Sequence, residues 1–303
     1  MKNIFKKLAL GLLVATSVVN FANAKDIEVE NAAGKQIVPQ NPQKVVVLDF
    51  AALDVIRELD EKSTIVGTVK GKIPAYLNEF HDAKYADMGT SPDPAFEKIN
   101  ELNPDLIIAS PRQKRLIERL KGIAPVFMLE NDFAHFYPSF QANILAIGKI
   151  FNKEEQAKQK LDALDKRMSA LAEKTKGKTA LVALVNESRI SAFGDQSRYA
   201  MVYQNFGFTP IDRALSASIH GNSVGFEYVV EKNPDYLLII DRTAAVTDKV
   251  NNAQQVLNNA IINKTQAAQN NHIVYLNAAN WYLAFGGLAS MDAMVTEIEN
   301  AVK

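Results

Sequence analysis

The chain alternates between short, uninterrupted apolar runs and segments whose apolar residues recur every three or four positions. Apolar runs of this length are typical of strands covered on both faces, and the second spacing is typical of helices. Predicted strands lie at residues 44–50, 64–69, 105–109, 125–130, 179–185, 190–193, 235–240 and 272–276. Predicted helices lie at 51–59, 113–120, 140–151, 154–174, 197–206, 253–259 and 288–302. Strands alternating with helices predict an α/β fold with parallel sheets.

One stretch of this pattern occurs twice, at residues 96–112 and 226–242, with a constant offset of 130. Each copy reads as a short helix, Asn-Pro-Asp, an apolar run and a final arginine. Seven of the seventeen positions are identical: Phe96, Glu97, Glu101, Asn103, Pro104, Asp105 and Arg112 recur as Phe226, Glu227, Glu231, Asn233, Pro234, Asp235 and Arg242. Such a repeat indicates two half-molecules of similar construction.

Three arginines, Arg112, Arg198 and Arg242, each follow a predicted strand. Ligands of open parallel sheets bind at the carboxyl ends of the strands, so these side chains are expected to face a cleft between two lobes. A guanidinium group is always charged, planar and able to stack on aromatic rings, which suits a flat, delocalised anion. The alternative is that they form ordinary surface ion pairs.

The longest helical pattern runs through residues 154–174, with apolar positions Ala157, Leu161, Leu164, Met168 and Leu171. It predicts a helix of about 30 Å that connects the two lobes. We therefore expect an N-terminal lobe at 25–152, an interdomain helix at 153–176 and a C-terminal lobe at 177–303, both lobes Rossmann-like. A single stiff connection predicts small relative motion of the lobes.

The first 24 residues have the features of a secretory signal peptide. Lys2, Lys6 and Lys7 precede an apolar run at 8–19, and Ala22-Asn23-Ala24 forms a cleavage site. Its removal would leave 31 basic and 34 acidic side chains, a balance that gives no general affinity for nucleic acid. The sequence has no cysteine, so we expect no disulfide and no lipid-modified thiol. These features predict a free periplasmic protein.

His220 and Tyr282 are candidate metal ligands, each in a predicted loop. Imidazole and phenolate both bind ferric iron, but two donors suffice only if a chelator supplies the other positions. A solvated loop histidine is the alternative. The remaining histidines, His81, His135 and His272, lack the spacing of a zinc site.

A catalytic alternative comes from Gly221-Asn222-Ser223-Val224-Gly225, which matches the G-x-S-x-G motif of serine hydrolases. Asp241 and His272 follow in the expected order. However, residues 212–220 do not form the hydrophobic strand that this motif requires before its first glycine, and His272 opens a strand. A non-enzymatic protein is therefore the favoured interpretation.

Several segments resemble the periplasmic binding proteins that feed iron–siderophore ABC importers, above all the enterochelin-uptake (CeuE) type for ferric catecholates. The resemblance covers about residues 44–303. The most specific segments are 190–198, His220-Gly221, 231–236 with Asp241-Arg242, and 281–284. It implies a class III periplasmic binding protein, in which one long helix joins two α/β lobes around a ligand cleft.

The same resemblance implies roles for individual residues. Arg112, Arg198 and Arg242 would neutralise the catecholate oxygens of an enterobactin-type cargo. His220 and Tyr282 would bind iron directly when the siderophore is tetradentate, such as a linear hydrolysis product. Glu97 and Glu227 would dock onto an inner-membrane ABC permease, one on each lobe. We expect a monomer with no intrinsic cofactor, and haem or cobalamin as the alternative cargo.

Overall fold

The computed structural model describes residues 25–303, so the predicted signal peptide at 1–24 lies outside the described part. The first half of the chain contains nine strands and four helices in this range: β1 Asp26–Asn31, β2 Gly34–Pro39, β3 Val45–Val47, α1 Phe50–Glu58, β4 Ile65–Thr68, β5 Ala86–Asp87, β6 Gly89–Thr90, β7 Asp93–Pro94, α2 Phe96–Leu102, β8 Leu106–Ala109, α3 Ile117–Lys121, β9 Val126–Met128 and α4 Phe136–Ile150. Short 3₁₀ helices lie at Lys62–Thr64, Ala75–His81 and Pro111–Leu116.

Helix α5, Glu154–Thr175, leads into the second half. Its elements are β10 Thr179–Asn186, β11 Arg189–Phe193, α6 Met201–Gln204, β12 Thr209–Pro210, β13 Asn222–Val224, α7 Phe226–Lys232, β14 Tyr236–Asp241, α8 Arg242–Val246, α9 Asn252–Leu257, α10 Gln266–Gln269, β15 Ile273–Leu276 and α11 Leu288–Ala301. A 3₁₀ helix lies at Ile262–Lys264 and a π-helix at Ala279–Leu283.

The sheet of the first lobe is entirely parallel, with strand order β5-β4-β3-β8-β9. All residues of β3 and β8 are buried, as expected for strands covered by helices on both faces. A separate antiparallel hairpin, β1–β2, precedes this sheet and packs against α4 and β9.

The sheet of the second lobe is mixed, which the alternating pattern did not predict. Its order is β13-β11-β10-β14-β15, with β12 paired to the start of β10. Strands β10, β14 and β15 are parallel, whereas β11 and β13 run antiparallel to their neighbours. The cause is a two-residue turn after β10, in which Glu187 adopts φ 55° and returns the chain as a hairpin.

The internal repeat produces the same local geometry in each lobe. Helices α2 and α7 end at Asn103 and Asn233, which adopt left-handed conformations with φ 46° and 47°. The aspartates that follow then accept a backbone N–H at the start of the neighbouring strand. Asp105 accepts from Lys44 N at 2.9 Å, and Asp235 accepts from Thr179 N at 2.8 Å. In each lobe the repeated motif thus links its own strand to the parallel neighbour, β8 to β3 in the first lobe and β14 to β10 in the second.

Helices α5 and α11 hold the lobes together. The 22 residues of α5 correspond to about 33 Å, and its buried face packs against α4 and α11. Helix α11 also packs against α1 of the first lobe, and one continuous hydrophobic cluster draws residues from both halves. The exact boundaries 25–152, 153–176 and 177–303 stay predictions. Within residues 25–303, no helix combines the length and apolar character needed to cross a bilayer.

A buried carboxylate, Asp54 of α1, caps the amino end of α11. Its oxygens accept from Ala289 N at 3.0 Å and Ser290 N at 2.9 Å, and Tyr76 Oη donates to it at 2.9 Å. The residue before α11 is Gly287, where an added Cβ would overlap the Asp54 carboxylate. Glycine is therefore required here, and the orphan amides of α11 are satisfied by a residue more than 230 positions away.

Burial raises the pKa of Asp54 from 3.8 to about 6, although the three donors partly oppose the shift. Because the folded state holds this proton more tightly than the unfolded chain, stability should fall as pH rises from about 4 to about 6. We expect the free energy of unfolding of the wild type, relative to Asp54→Asn, to decrease by roughly 2–3 kcal/mol between pH 4 and pH 7. Denaturant titrations across this range provide the measurement.

The exposed Asp26→Asn variant serves as the control and should follow the wild-type profile. An Asp54→Asn profile parallel to that of the wild type would contradict the assignment.

Candidate ligand-binding site

A cavity of about 710 Å³ opens between the carboxyl ends of the two sheets. Both lobes line it, and its polar lining includes Asp49, Ser110, Arg112, Asn186, Arg189, Arg198, His220, Arg242 and Tyr282. A larger groove of about 930 Å³ lies beside the β1–β2 hairpin, but its cationic residues are three exposed lysines, Lys35, Lys114 and Lys121. The interlobe cavity is therefore the better candidate for a specific ligand site.

The three arginines singled out by the sequence converge on one residue of this cavity, Tyr282. Arg112 Nη2 and Arg198 Nη2 donate to the Tyr282 carbonyl oxygen at 3.2 and 3.0 Å. Arg242 Nε donates to the Tyr282 hydroxyl at 2.8 Å, and its Nη1 donates to Asn186 Oδ1 at 2.8 Å. Arg112 comes from the first lobe and Arg242 from the second, so the final arginines of both copies of the repeat line the same cavity.

The guanidinium carbons of Arg112, Arg198 and Arg242 lie 5.6, 4.8 and 5.6 Å from the centre of the Tyr282 ring. In the described part of the chain, none of the three forms an ion pair with a carboxylate; the arginine ion pairs there involve Arg57, Arg119, Arg167 and Arg213. Arg198 Nε is buried and has no hydrogen-bond partner. Buried donors of this kind are normally satisfied, so an anionic acceptor fits this cluster.

The arginines also change the acidity of the tyrosine. Burial raises the pKa of Tyr282, but the hydrogen bond from Arg242 and the charges of Arg242, Arg198 and Arg112 outweigh that effect. The net result is a pKa below the ordinary value of 10.0. A lowered pKa makes the phenolate, a hard oxygen ligand for ferric iron, easier to form.

Tyr282 is positioned by its neighbour in the π-helix Ala279–Leu283, a segment for which the sequence pattern predicted only a loop. Trp281 is fully buried, and its indole Nε1 donates to Glu297 Oε2 of α11 at 2.6 Å. Tyr199 Oη donates to the Trp281 carbonyl at 3.3 Å. These contacts anchor the turn on one side, so Tyr282 projects toward the cavity on the other.

His220 lies exposed on the loop before β13 and lines the same cavity. Its position depends on Gly221, which has φ 75°. A Cβ at Gly221 would lie 2.8 Å from the Phe193 ring and 2.9 Å from Ser191 Cβ. The loop can therefore lie flat against β11 only with glycine at this position. Across residues 25–303, no group of three or more His, Cys, Asp or Glu side chains is arranged to hold a metal ion.

Comparison with known proteins identifies the family. The family model described as periplasmic binding protein matches residues 45–279. The chain belongs to this family. It therefore has the class III fold predicted from the sequence, and it belongs to the extracytoplasmic substrate-binding proteins rather than to the enzymes.

Three relatives of this periplasmic binding protein are similar to it over most of its length. The petrobactin-binding protein YclQ of Bacillus subtilis is 41% identical over 269 residues, 88% of this chain and 84% of YclQ. Its crystal structure gives a TM-score of 0.89 at 39% identity, covering 92% of this chain and 99% of the other.

The catecholate-siderophore binding protein VctP of Vibrio cholerae gives a TM-score of 0.86 at 30% identity, covering 91% of this chain and all of VctP. The ferric-anguibactin-binding protein FatB of Vibrio anguillarum is 29% identical over 279 residues, 90% of this chain and 86% of FatB.

The hydrolase alternative is wrong for this periplasmic binding protein. Ser223 lies within β13, paired with Ser191 across an antiparallel ladder, and not on a strand-to-helix turn. His272 contacts Asp235 O and stacks on Tyr236 at the amino end of β14, whereas Asp241 lies at the carboxyl end. A strand of this length separates the two by roughly 15–20 Å, so no catalytic triad can form.

The lack of space for a side chain at Gly221 leads to a testable prediction about the site. Gly221→Ala should weaken ligand binding by tenfold or more, because the displaced loop moves His220 away from the cavity. It should also lower the free energy of unfolding by about 1–3 kcal/mol, combining left-handed strain with steric overlap. Ligand titration and denaturant unfolding measure the two effects.

Gly177→Ala is the matched control, since Gly177 has φ 80° and an added Cβ there would meet no atom within 4 Å. This variant should lose only about 1 kcal/mol of stability and keep full affinity. Equal binding losses in the two variants would contradict the role of the Gly221 contact.

Proposed function

We propose that this protein captures a ferric catecholate siderophore in the periplasm, as a monomer, and delivers it to an inner-membrane ABC permease. The cargo would be of the enterobactin type or one of its linear, tetradentate hydrolysis products. The observation that carries this proposal is the convergence of Arg112, Arg198 and Arg242 from two lobes on Tyr282 in one cavity. VctP, a catecholate-siderophore binding protein, supports the same class of cargo, and the petrobactin-binding protein YclQ supports the binding of an iron chelator.

The charge of the cavity suits such a cargo. Each catecholate brings two anionic oxygens to the ferric ion, so the complex retains a net negative charge spread over flat rings. A unit charge about 5 Å from a guanidinium group gains roughly 3 kcal/mol at an effective dielectric constant of about 20. Planar guanidinium groups can also stack on the catecholate rings while they hydrogen-bond the oxygens.

The protein's own donors would complete the coordination of a tetradentate complex. Tyr282 would supply phenolate oxygen, favoured by its lowered pKa, and His220 would supply imidazole nitrogen. A hexadentate siderophore already saturates the iron, so both residues would then line the cavity without binding the metal. Cobalamin fits less well, since a corrinoid has no compact anionic centre to match the arginines.

A titration tests the cargo assignment. Ferric bis-catecholate should quench the emission of Trp281, the only tryptophan, and produce a ligand-to-metal charge-transfer band. Tyr282→Phe should shift this band because the phenolate ligand is lost, and Arg242→Gln should weaken binding by tenfold or more. Tyr275→Phe, which changes an exposed tyrosine outside the cavity, should alter neither result.

Failure of ferric bis-catecholate to quench Trp281 would overturn the proposal. Tighter binding of haem, seen as a Soret band that Tyr282→Phe abolishes, would favour the haem-carrier alternative.

Two glutamates are placed to serve permease docking. Glu97 and Glu227 occupy the first turns of α2 and α7, equivalent positions on the two lobes, and both side chains are exposed. Among residues 25–303, the one ion pair of Glu97 is a long contact of 3.9 Å with Arg119 Nη2. We propose that the pair contacts basic side chains on the permease, one subunit for each lobe.

The double variant Glu97→Ala/Glu227→Ala should retain ligand affinity but lose siderophore-dependent iron uptake, because the two carboxylates lie away from the cavity. Glu101→Ala/Glu231→Ala is the matched control, since these exposed acids belong to the same repeated helices. It should support normal uptake. Comparable levels of each variant in the periplasmic fraction must accompany the uptake assay.

Loss of ligand binding in the Glu97→Ala/Glu227→Ala variant, or uptake equal to wild type, would exclude the docking role.

A further inference from the structure

A fourth arginine lines the cavity beside the arginine cluster around Tyr282, because it is paired across the β10–β11 hairpin with Asn186, the acceptor of a hydrogen bond from Arg242. Arg189 is the first residue of β11, and Ser191 lies two positions further along the same strand. Ser223 of β13 is directly opposite Ser191 in the antiparallel ladder. Because side chains alternate along a strand and opposed residues share a face, these three side chains belong to one face of the sheet. All three line the cavity.

Arg189 differs from the other three arginines in its contacts. Arg112, Arg198 and Arg242 each hydrogen-bond Tyr282 and lie over its ring, whereas the Arg189 side chain is exposed. The ion pairs formed by arginines among the described residues involve Arg57, Arg119, Arg167 and Arg213 and not Arg189, so its guanidinium group is available to a ligand.

The cavity contains one carboxylate that could balance this charge, Asp49. Its Oδ1 already accepts backbone N–H groups of Ala51 and Ala52 at 2.9 and 3.1 Å, where it caps α1. Four arginines and one aspartate give the lining a net charge of +3, and a ferric bis-catecholate, whose net charge is −1, leaves part of it unbalanced. A volume of about 710 Å³ also leaves room for more of the chelator than its iron-binding rings.

We propose that Arg189, with the hydroxyl groups of Ser191 and Ser223, forms a second anion subsite that binds a carboxylate on the backbone of the siderophore. The subsite selects chelators that carry a charged arm in addition to their catecholates. A guanidinium group can hold a carboxylate through two parallel hydrogen bonds, and the serines supply further donors at the same wall. This inference rests on the proposed siderophore-binding function of the same cavity.

The test uses two synthetic ferric bis-catecholates with the same linker, one bearing a backbone carboxylate and the other the corresponding carboxamide. Affinities are measured by quenching of Trp281 in the wild type, Arg189→Gln and the control Arg115→Gln. Arg115 is exposed and lies outside the cavity, so Arg115→Gln removes the same positive charge at a position away from the ligand.

The wild type and Arg115→Gln should prefer the carboxylate on the order of tenfold. Arg189→Gln should lose this preference, so that it binds the carboxylate and carboxamide probes with about equal affinity. Ser191→Ala/Ser223→Ala should reduce the preference partly.

Equal affinity of the wild type for both probes, or an unchanged preference in Arg189→Gln, would overturn the subsite alone. If neither probe binds the wild type, the proposed siderophore-binding function fails together with the subsite.

Discussion

Three guanidinium groups brought together around a single tyrosine form the constraint on which the rest of the structure depends. Like charges at this spacing repel one another, and the cluster has no carboxylate partner among residues 25–303. The carbonyl and hydroxyl oxygens of Tyr282, together with Asn186, are the acceptors that hold the arginines in place. Under the proposed function an anionic ligand would complete this arrangement, and a rigid frame would hold the three cations in place before the ligand binds.

That frame is a core shared by both lobes. Helix α5 packs against α4 and α11, and α11 packs in turn against α1. Asp54 reinforces the last contact, because a carboxylate in the first lobe satisfies the amides of the helix that follows the Tyr282 segment. Trp281 anchors the same segment to α11 through Glu297. The Tyr282 segment is therefore tied to both lobes, through Glu297 of α11 and through the Asp54 contact between α11 and α1.

The proposed function separates electrostatic capture of the ligand from metal binding. Arginine attracts and orients an anionic chelate without touching the metal, and its charge does not depend on pH in the physiological range. In this proposal, Tyr282 and His220 would add donors that matter only when the chelate leaves coordination positions free. Such a division would let one cavity accept iron complexes with different numbers of donors, because the arginines would act on the charge that all of them share.

The sequence alone determined those features that depend on local signals. The repeat predicted the equivalent helices, the Asn-Pro-Asp junctions and the strand-end arginines, because left-handed Asn residues and strand-opening aspartates act within a few positions or on the adjacent strand. The length of α5 followed from its periodicity in the same way. The family was recognisable from motifs around Arg198, His220 and Tyr282.

Only the tertiary structure decided the contacts between residues that are distant in the chain. The turn of the β10–β11 hairpin depends on one left-handed residue, Glu187, and glutamate is not a residue type from which a turn is predicted. This hairpin brings Arg189 into the cavity. The Asp54 cap joins positions 235 residues apart, and no periodicity or spacing encodes such a pair. Packing creates these interactions, since a carboxylate or a guanidinium group acquires its partners from whichever elements lie around it, and burial raises the pKa of Asp54.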